Sequence, residues 1–241
     1  MSFSDLFSSK KRVPKCSAVI VAAGSSSRMG KDKLLTELGS VPVLIRTLRA
    51  FEASENVNEI VVVTRMELVP EVADLCNSYG ISKVTKVVAG GKTRMESSLI
   101  GVSSVRSRAS LIAVHDAARP LASTELIKRV VCAADQYKAA VPGIPSTDTL
   151  KAVDENSFVI GTVDRDTTYR VQTPQVFDAV LLKGALTKAA EKGLALSDDS
   201  AAMDMMGFKS FIVAGEEENI KITTPRDLIL AEAILRDRGE L

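Results

Sequence analysis

The chain has 241 residues, with 31 Lys+Arg against 30 Asp+Glu, a net charge of +1 and 46% hydrophobic residues. That length suits one α/β domain or two small ones and is ample for a buried core. The balanced charge excludes a disordered polyelectrolyte and disfavours non-specific nucleic-acid binding. With no Trp and 4% aromatic residues, stacking platforms for single strands are few, so a small-molecule ligand is the better expectation.

Cys16, Cys76 and Cys132 are odd in number and far apart, with no CxxC pair. Structural thiols in a reducing compartment fit better than a disulfide framework or a zinc knuckle. Lys10, Lys11, Arg12 and Lys15 precede the apolar run Cys16 to Ala23 and loosely mimic a signal peptide. A buried first strand explains Ala18 to Ala22 equally well, and no run approaches the ~18 residues of a membrane span. The expectation is a cytoplasmic protein with neither nucleic-acid nor membrane partners.

In chain order, β-branched runs at Ala18 to Ala22, Glu59 to Val63, Lys83 to Val88, Leu111 to Val114 and Lys138 to Val141 predict strands. Between them, Pro42 opens a helix over Val43 to Ala53. Thr93 precedes one over Arg94 to Val105, and Ser123-Thr124-Glu125 one over Leu126 to Tyr137. This alternation predicts βαβ units and a doubly wound, mostly parallel sheet. Near Ser146 the rhythm changes. Thr147 to Val153 and Phe158 to Val163 flank the turn-like Asp154 to Ser157, which reads as an inserted β-hairpin arm at about 147–165. Helices then return at about Ala179 to Lys192 and Ser200 to Met206, before a strand at Ser210 to Val213 and a closing helix at Thr224 to Arg236. One domain is expected over 16–241, after a mobile segment at 1–15.

In an open parallel sheet the first βα loop is the usual phosphate contact. Here it reads Gly24-Ser-Ser-Ser-Arg-Met-Gly30, and its small residues let backbone N–H groups approach an anion. The dinucleotide pattern fails because Ser26 and Met29 take its second and third glycine positions. A Walker A fails because five residues separate the glycines and the end reads Gly30-Lys31-Asp32. Ala22-Ala-Gly24, Arg28-Met29 and Lys33 resemble instead the sugar-nucleotidyltransferase signature, with Asp32 where that pattern commonly has Pro.

Further segments extend the likeness: Gly90-Gly-Lys-Thr-Arg94-Met-Glu-Ser97-Ser, Val114-His-Asp116-Ala117-Ala-Arg119-Pro120, Thr162-Val-Asp-Arg165 with Thr173-Pro-Gln175, and Asn219-Ile-Lys221-Ile-Thr. Their order and spacing resemble the 2-C-methyl-D-erythritol 4-phosphate cytidylyltransferase family from about Ser17 to Leu235. The resemblance implies a Rossmann-like nucleotidyltransferase fold and transfer of CMP from CTP to the polyol phosphate, with Mg²⁺ on the triphosphate. It implies nucleotide contacts at Ala22, Ala23, Gly24, Ser25, Gly91, Arg94, Ser97, Asp116 and Ala117, and basic catalytic residues at Arg28, Lys33 and Lys221. Acceptor contacts are implied at Arg119, Thr149, Arg165, Thr173 and Ser197, the last standing where threonine is commoner. The family's arm exchanges within a homodimer, so Thr149 and Arg165 are expected to serve the partner's site.

Two other functions are weighed. Cytidylyl transfer to another polyol phosphate, such as ribitol 5-phosphate, needs the same nucleotide site; Ala117-Ala118 leans away from it. A nucleotide-sensing module without turnover is opposed by Arg28, Lys33, Arg165 and Lys221 occurring together. Outside the motifs, His115 reads as packed structure and Met203, Met205 and Met206 as helix packing. Asp198-Asp199 reads as a pair complementing a helix dipole, and Glu216 to Glu218 as a solvated turn.

Overall fold

The computed structural model describes residues 13–24, 34–106 and 108–241. Most of the segment expected to be mobile, at 1–15, therefore lies outside the described residues. The elements run β1 (Cys16–Val21), β2 (Glu37–Leu38), β3 (Val41–Pro42), α1 (Val43–Ala53), β4 (Val57–Thr64), α2 (Val69–Ser78), β5 (Val84–Ala89), α3 (Arg94–Ser104) and β6 (Leu111–Asp116). The chain continues through α4 (Thr124–Tyr137), β7 (Ala139–Pro145), β8 (Lys151–Val153), β9 (Val159–Thr162), β10 (Tyr169–Val171), β11 (Gln175–Asp178), α5 (Ala179–Glu191), α6 (Asp199–Met205), β12 (Phe211–Ala214) and α7 (Pro225–Asp237).

An eight-stranded sheet carries the fold. Across it the strands lie in the order β12, β7, β11, β6, β1, β4, β5, and β10 pairs with the far end of β7. All neighbours on this path are parallel except where β11 runs antiparallel to both β6 and β7. The central strands are apolar on both faces because both are covered. In β1, Ala18 and Ile20 face one core with Val62 of β4 and Leu48 of α1, while Val19 faces the other with Val61 and Leu186 of α5. Helices α1, α2, α4 and α7 contribute to the first core, and α3, α5 and α6 to the second. Gly101 lets α3 press onto the sheet; a Cβ there would meet the Val19 and Val63 side chains.

From β1 the sheet grows to β4 and β5 on one side, and the chain then crosses through α3 to β6 on the other. The carboxyl ends of β1 and β6 thus flank the switch point where open α/β sheets bind ligands. The Ala117 N–H donates to the Val21 carbonyl at 3.0 Å, and the Thr47 hydroxyl of α1 donates to the Ala117 carbonyl at 2.7 Å, fixing the turn after β6 from beneath.

The predicted strands and helices recur with small shifts at their ends, and the structure adds several elements. Helix α2, opened by Pro70 in its first turn, lies between two predicted strands. β7 begins after Lys138, which ends α4 in the left-handed region at φ 71°, and extends to Pro145. The arm pairs over a shorter span than expected, Lys151–Val153 against Val159–Thr162: Asp154 Oδ1 accepts from the Asn156 and Phe158 N–H groups and closes the turn at the expected place, while residues 147–150 at the base stay outside the strand. Cys16 and Cys76 are buried, and burial pushes their thiols up to about 12 and about 11. Cys132 is exposed, so structural packing accounts for only part of the thiol set. No helix among the described residues is long and apolar enough to cross a membrane.

Candidate active site

A cleft of about 370 Å³ opens at the switch point. Among the described residues its walls include Ala22, Ala23 and Gly24 after β1, Gly91 and Lys92 before α3, and Asp116 at the end of β6. Arg94 and Ser97 of α3 and Lys221 from the loop after β12 complete the polar side. Three separate chain segments therefore bring the predicted nucleotide residues Ala22, Ala23, Gly24, Gly91, Arg94, Ser97 and Asp116 to the cleft, and a fourth adds Lys221. Ser25, Arg28 and Lys33 lie outside the described residues.

Each wall has a local cause. Gly90 sits so close to the β1 exit that a Cβ would come within 2.6 Å of Ala23 Cβ and 2.7 Å of Ser97 Oγ. Thr93 caps α3 by accepting from the Glu96 N–H, while Glu96 accepts from the Lys92 N–H at 2.7 Å. Ser97 Oγ donates to the Thr93 carbonyl and accepts from the Gly91 N–H, tying the glycine pair to the helix. The positive end of the α3 dipole thereby faces the cleft.

Lys221 is placed by a buried scaffold. Asn219, fully buried, donates from Nδ2 to the Thr173 carbonyl at 2.9 Å. The Asn219 carbonyl accepts from Arg119 Nη1 at 2.6 Å, and the Ile222 N–H donates to the Ala118 carbonyl. Gln172 brackets Glu216, donating to its carbonyl and accepting from its N–H. Glu216 itself accepts from the Ser123 hydroxyl and pairs with Arg129, so the expected solvated turn is a braced one. On this mount Lys221 Nζ reaches Asp116 Oδ2 at 2.7 Å.

Asp116 Oδ1 faces Arg94 Nε at 3.2 Å. Burial alone would push the Asp116 carboxyl up, but the Arg94 guanidinium and the Lys221 ammonium hold it well below the usual carboxylate range. Arg94 also pairs through Nη1 with Asp199 Oδ2 at 2.8 Å. Although burial opposes its charge, the two carboxylates raise its pKa further. Asp198 does cap α6, accepting from the Ala201 N–H, as expected for a helix-start carboxylate. Asp199 departs from that reading: it turns inward, 1% exposed, onto Arg94.

His115 is fully buried, its ring 4.7 Å from Phe51. The Thr173 hydroxyl accepts from the Asp116 N–H at 3.1 Å and so has its proton free for His115 Nδ1 at 3.0 Å. That leaves Nε2–H to donate to the Arg119 carbonyl at 3.1 Å. Burial lowers the imidazole pKa to about 4, against a smaller opposing effect of the Arg119 carbonyl, so the ring is neutral and structural, as its packed position suggested.

The remaining predicted residues fall in three places. Ala117 is buried with its N–H spent on Val21, and Ala118 lines the cleft beside it. Arg119 and Thr173 lie behind Asp116, Arg119 with a buried Nε lacking a hydrogen-bond partner. Thr149 and Arg165 are exposed on and beside the arm, and Ser197 is exposed in the loop before α6. None of these last three lines the cleft.

A family model described as 2-C-methyl-D-erythritol 4-phosphate cytidylyltransferase matches residues 16–237. The chain belongs to this cytidylyltransferase family. A relative of that name from Caldanaerobacter subterraneus subsp. tengcongensis is 43% identical over 227 residues, covering 91% of this chain and 98% of the relative. One from Halalkalibacterium halodurans is 40% identical, covering 92% and 97%. Among solved structures, the 4-diphosphocytidyl-2C-methyl-D-erythritol synthase of Anaerococcus prevotii superposes with a TM-score of 0.83 at 32% identity, over 92% of this chain and 96% of that one. The Thermus thermophilus cytidylyltransferase superposes at 0.76 with 34% identity, over 92% and 99%. The mostly parallel α/β sheet is thus the fold of this enzyme family, and the cleft lies where its motifs converge.

Proposed function

We propose that this chain transfers the cytidylyl group of CTP to the phosphate of 2-C-methyl-D-erythritol 4-phosphate, releasing pyrophosphate, a step of isoprenoid precursor synthesis. The observation that carries the reading is the cleft at the switch point, where Asp116 holds Lys221 and Arg94 beside the glycine-bounded wall. Family membership supplies the substrates.

An acceptor phosphate oxygen attacks the α-phosphorus of CTP. The new P–O bond forms as the bond to the β-phosphate breaks, and pyrophosphate leaves with the electron pair. A phosphate monoester has a second pKa of about 6, so the nucleophile is already ionised and no general base is needed. The neutral His115 is accordingly spared a proton-shuttling role. The difficulty is electrostatic, because two anions must meet and charge then grows on the α-phosphate oxygens and the leaving group.

In this reading Lys221 stabilises those α-phosphate oxygens, joined by Arg28 and Lys33 from the loop after Gly24. Ala22, Ala23, Gly24, Ser25, Gly91, Ser97 and Ala117 shape the nucleotide pocket, while Arg94 and Asp116 order its cationic wall. Arg119, Thr173 and Ser197 belong to the acceptor side. Asp116 is the one carboxylate in the cleft wall among the described residues, and both its oxygens are engaged by cations. Asp116 would be the protein group to hold a Mg²⁺ ion, through the lone pairs its oxygens keep beside Arg94 and Lys221, and the triphosphate would have to supply the other ligands. When bound, Mg²⁺ neutralises charge on the phosphates.

The arm supports a homodimer. Phe158, Val159 and Ile160 are 72%, 62% and 67% exposed, more apolar surface than a two-stranded hairpin leaves in water unless something covers it. A second copy would bring Thr149 and Arg165 to its partner's acceptor side. The free cysteines fit a reducing compartment, the cytoplasm. The test is an acceptor panel of purified protein, CTP and Mg²⁺, read by pyrophosphate release. Turnover with 2-C-methyl-D-erythritol 4-phosphate is expected to exceed that with ribitol 5-phosphate by at least about 10²-fold. Equal use of the two would overturn the acceptor assignment, and CTP binding without release would overturn transfer.

A further inference from the structure

Asp199 does not itself line the cleft, yet its carboxylate is buried and its charged partner, Arg94, is a wall residue. Arg94 spends Nη1 on Asp199 at 2.8 Å and Nε on Asp116 at 3.2 Å, and Asp116 spends its second oxygen on Lys221 at 2.7 Å. Charges of alternating sign therefore run in a line from α6 through the first residue of α3 and the end of β6 to the Lys221 loop. We propose that Asp199 is a positioning residue for cytidylyl transfer: by clamping Arg94 from behind, it holds Asp116, and through Asp116 the lysine that faces the reacting phosphorus.

The physical need is specific. A guanidinium at the mouth of a triphosphate site is drawn to phosphate oxygens and forms bidentate contacts with them. An Arg94 free to follow that attraction would leave Asp116 with one cationic partner and let the Asp116–Lys221 pair rotate. Asp199 prevents this because its buried carboxylate has no water to turn to and loses its charged partner if the guanidinium leaves. Burial raises the Asp199 pKa and Arg94 opposes that rise, which ties the two groups' charge states together. The clamp is built into a short helix whose start is fixed separately: the Asp198 cap accepts from Gln175 Nε2 at 2.7 Å, and Gln175 Oε1 in turn accepts from the Ser200 N–H. Asp199 is thus held by β11 as well as by its own helix.

The inference rests on the reading of Lys221 as a transition-state contact, and the test separates the two. Pyrophosphate release from CTP and 2-C-methyl-D-erythritol 4-phosphate is measured for Asp199→Asn, Lys221→Met and the double variant, with thermal melts to establish folding. Asp199→Asn is expected to lower kcat about tenfold or more while moving the KM for CTP less than about threefold, because ordering a transition-state contact differs from binding substrate. In the Lys221→Met background the same change should cost less than about twofold, since residues acting through one another are not additive. A full tenfold loss in both backgrounds, an unchanged kcat, or a loss confined to KM overturns the positioning role. A Lys221→Met enzyme with normal turnover overturns the reading beneath it instead. Should Asp199→Asn not fold, Arg94→Lys carries the same test, because it keeps a cation in the wall but replaces the planar fork, whose Nε and Nη1 reach Asp116 and Asp199 separately, with a single point charge. The same split in kcat and the same non-additivity are expected of it, and additive losses overturn the proposal.

Discussion

At the strand ends Asp116, Arg94 and Lys221 each find an oppositely charged partner within 3.2 Å, whereas in the β8–β9 arm Val159 and Ile160 stand 62% and 67% exposed. Among the described residues one chain orders the rim before any ligand arrives: the Thr93 cap, the Ala118, Thr173 and Asn219 carbonyls and the Gln172 and Asn219 amide nitrogens are paired, while Asn219 Oδ1 and Arg119 Nε are not. The arm is a pair of short strands with apolar side chains facing water on its own subunit. Polar residues near a reacting centre must be pre-organised to act at the moment charge develops. An arm that acts by docking needs only a fixed turn and a matching surface.

The largest effect should come from the rim. Lys221→Met is expected to lower kcat about 10²- to 10³-fold, the usual cost of one oxyanion-stabilising donor, with little change in the KM for CTP. Near-normal turnover would break the claim that the rim is finished for chemistry. Behind the rim, pH exposes the buried imidazole. His115 in the unfolded chain takes up a proton below its ordinary 6.5, whereas the folded ring stays neutral down to about 4. Its contribution is present above pH 6.5 and lost as pH falls towards 4, on the order of 3 kcal/mol. Denaturation curves across that window should flatten in His115→Gln, and an unchanged slope would refute the assignment.

A smaller loss is expected where the rim's support meets the sheet. Gly101→Ala pushes a methyl into Val19 and Val63 and should cost about 1–3 kcal/mol of stability by thermal melting. The smallest stability change belongs to the arm. Ile160→Asp should leave unfolding within about 0.5 kcal/mol of wild type, as exposed substitutions usually do, while sedimentation shifts from dimer to monomer and the acceptor KM rises. A wild-type protein that sediments as a monomer at micromolar concentration would remove the arm's proposed role.

The strands were legible because both faces of a parallel sheet are buried, so Val-Ile-Val at β1 and Ile-Val-Val-Val within β4 stand out as apolar runs. The cleft's glycines and Asp116 were legible because they sit in motifs beside those runs. Helix α2 was harder to see, since its buried residues reduce to Val72 and Cys76 and the rest of its surface is half-solvated. Strand β11 breaks the parallel rule and pairs over only four residues, which leaves almost no periodic signal. Asp199 was read as a dipole partner because an acidic pair at a helix start looks the same whether its second member faces solvent or Arg94.

Residue order alone set the alternation of strands and helices, the inserted hairpin and the family motifs, because these depend on local periodicity and short-range spacing. Tertiary structure alone decided that Arg94 is shared between Asp116 and Asp199, that Gln172, Thr173 and Asn219 brace the Lys221 loop, and that His115 is held neutral. Those contacts join residues from 22 to 105 positions apart in the chain. Their energies arise from burial and mutual charge, which exist only once the sheet has brought the segments together.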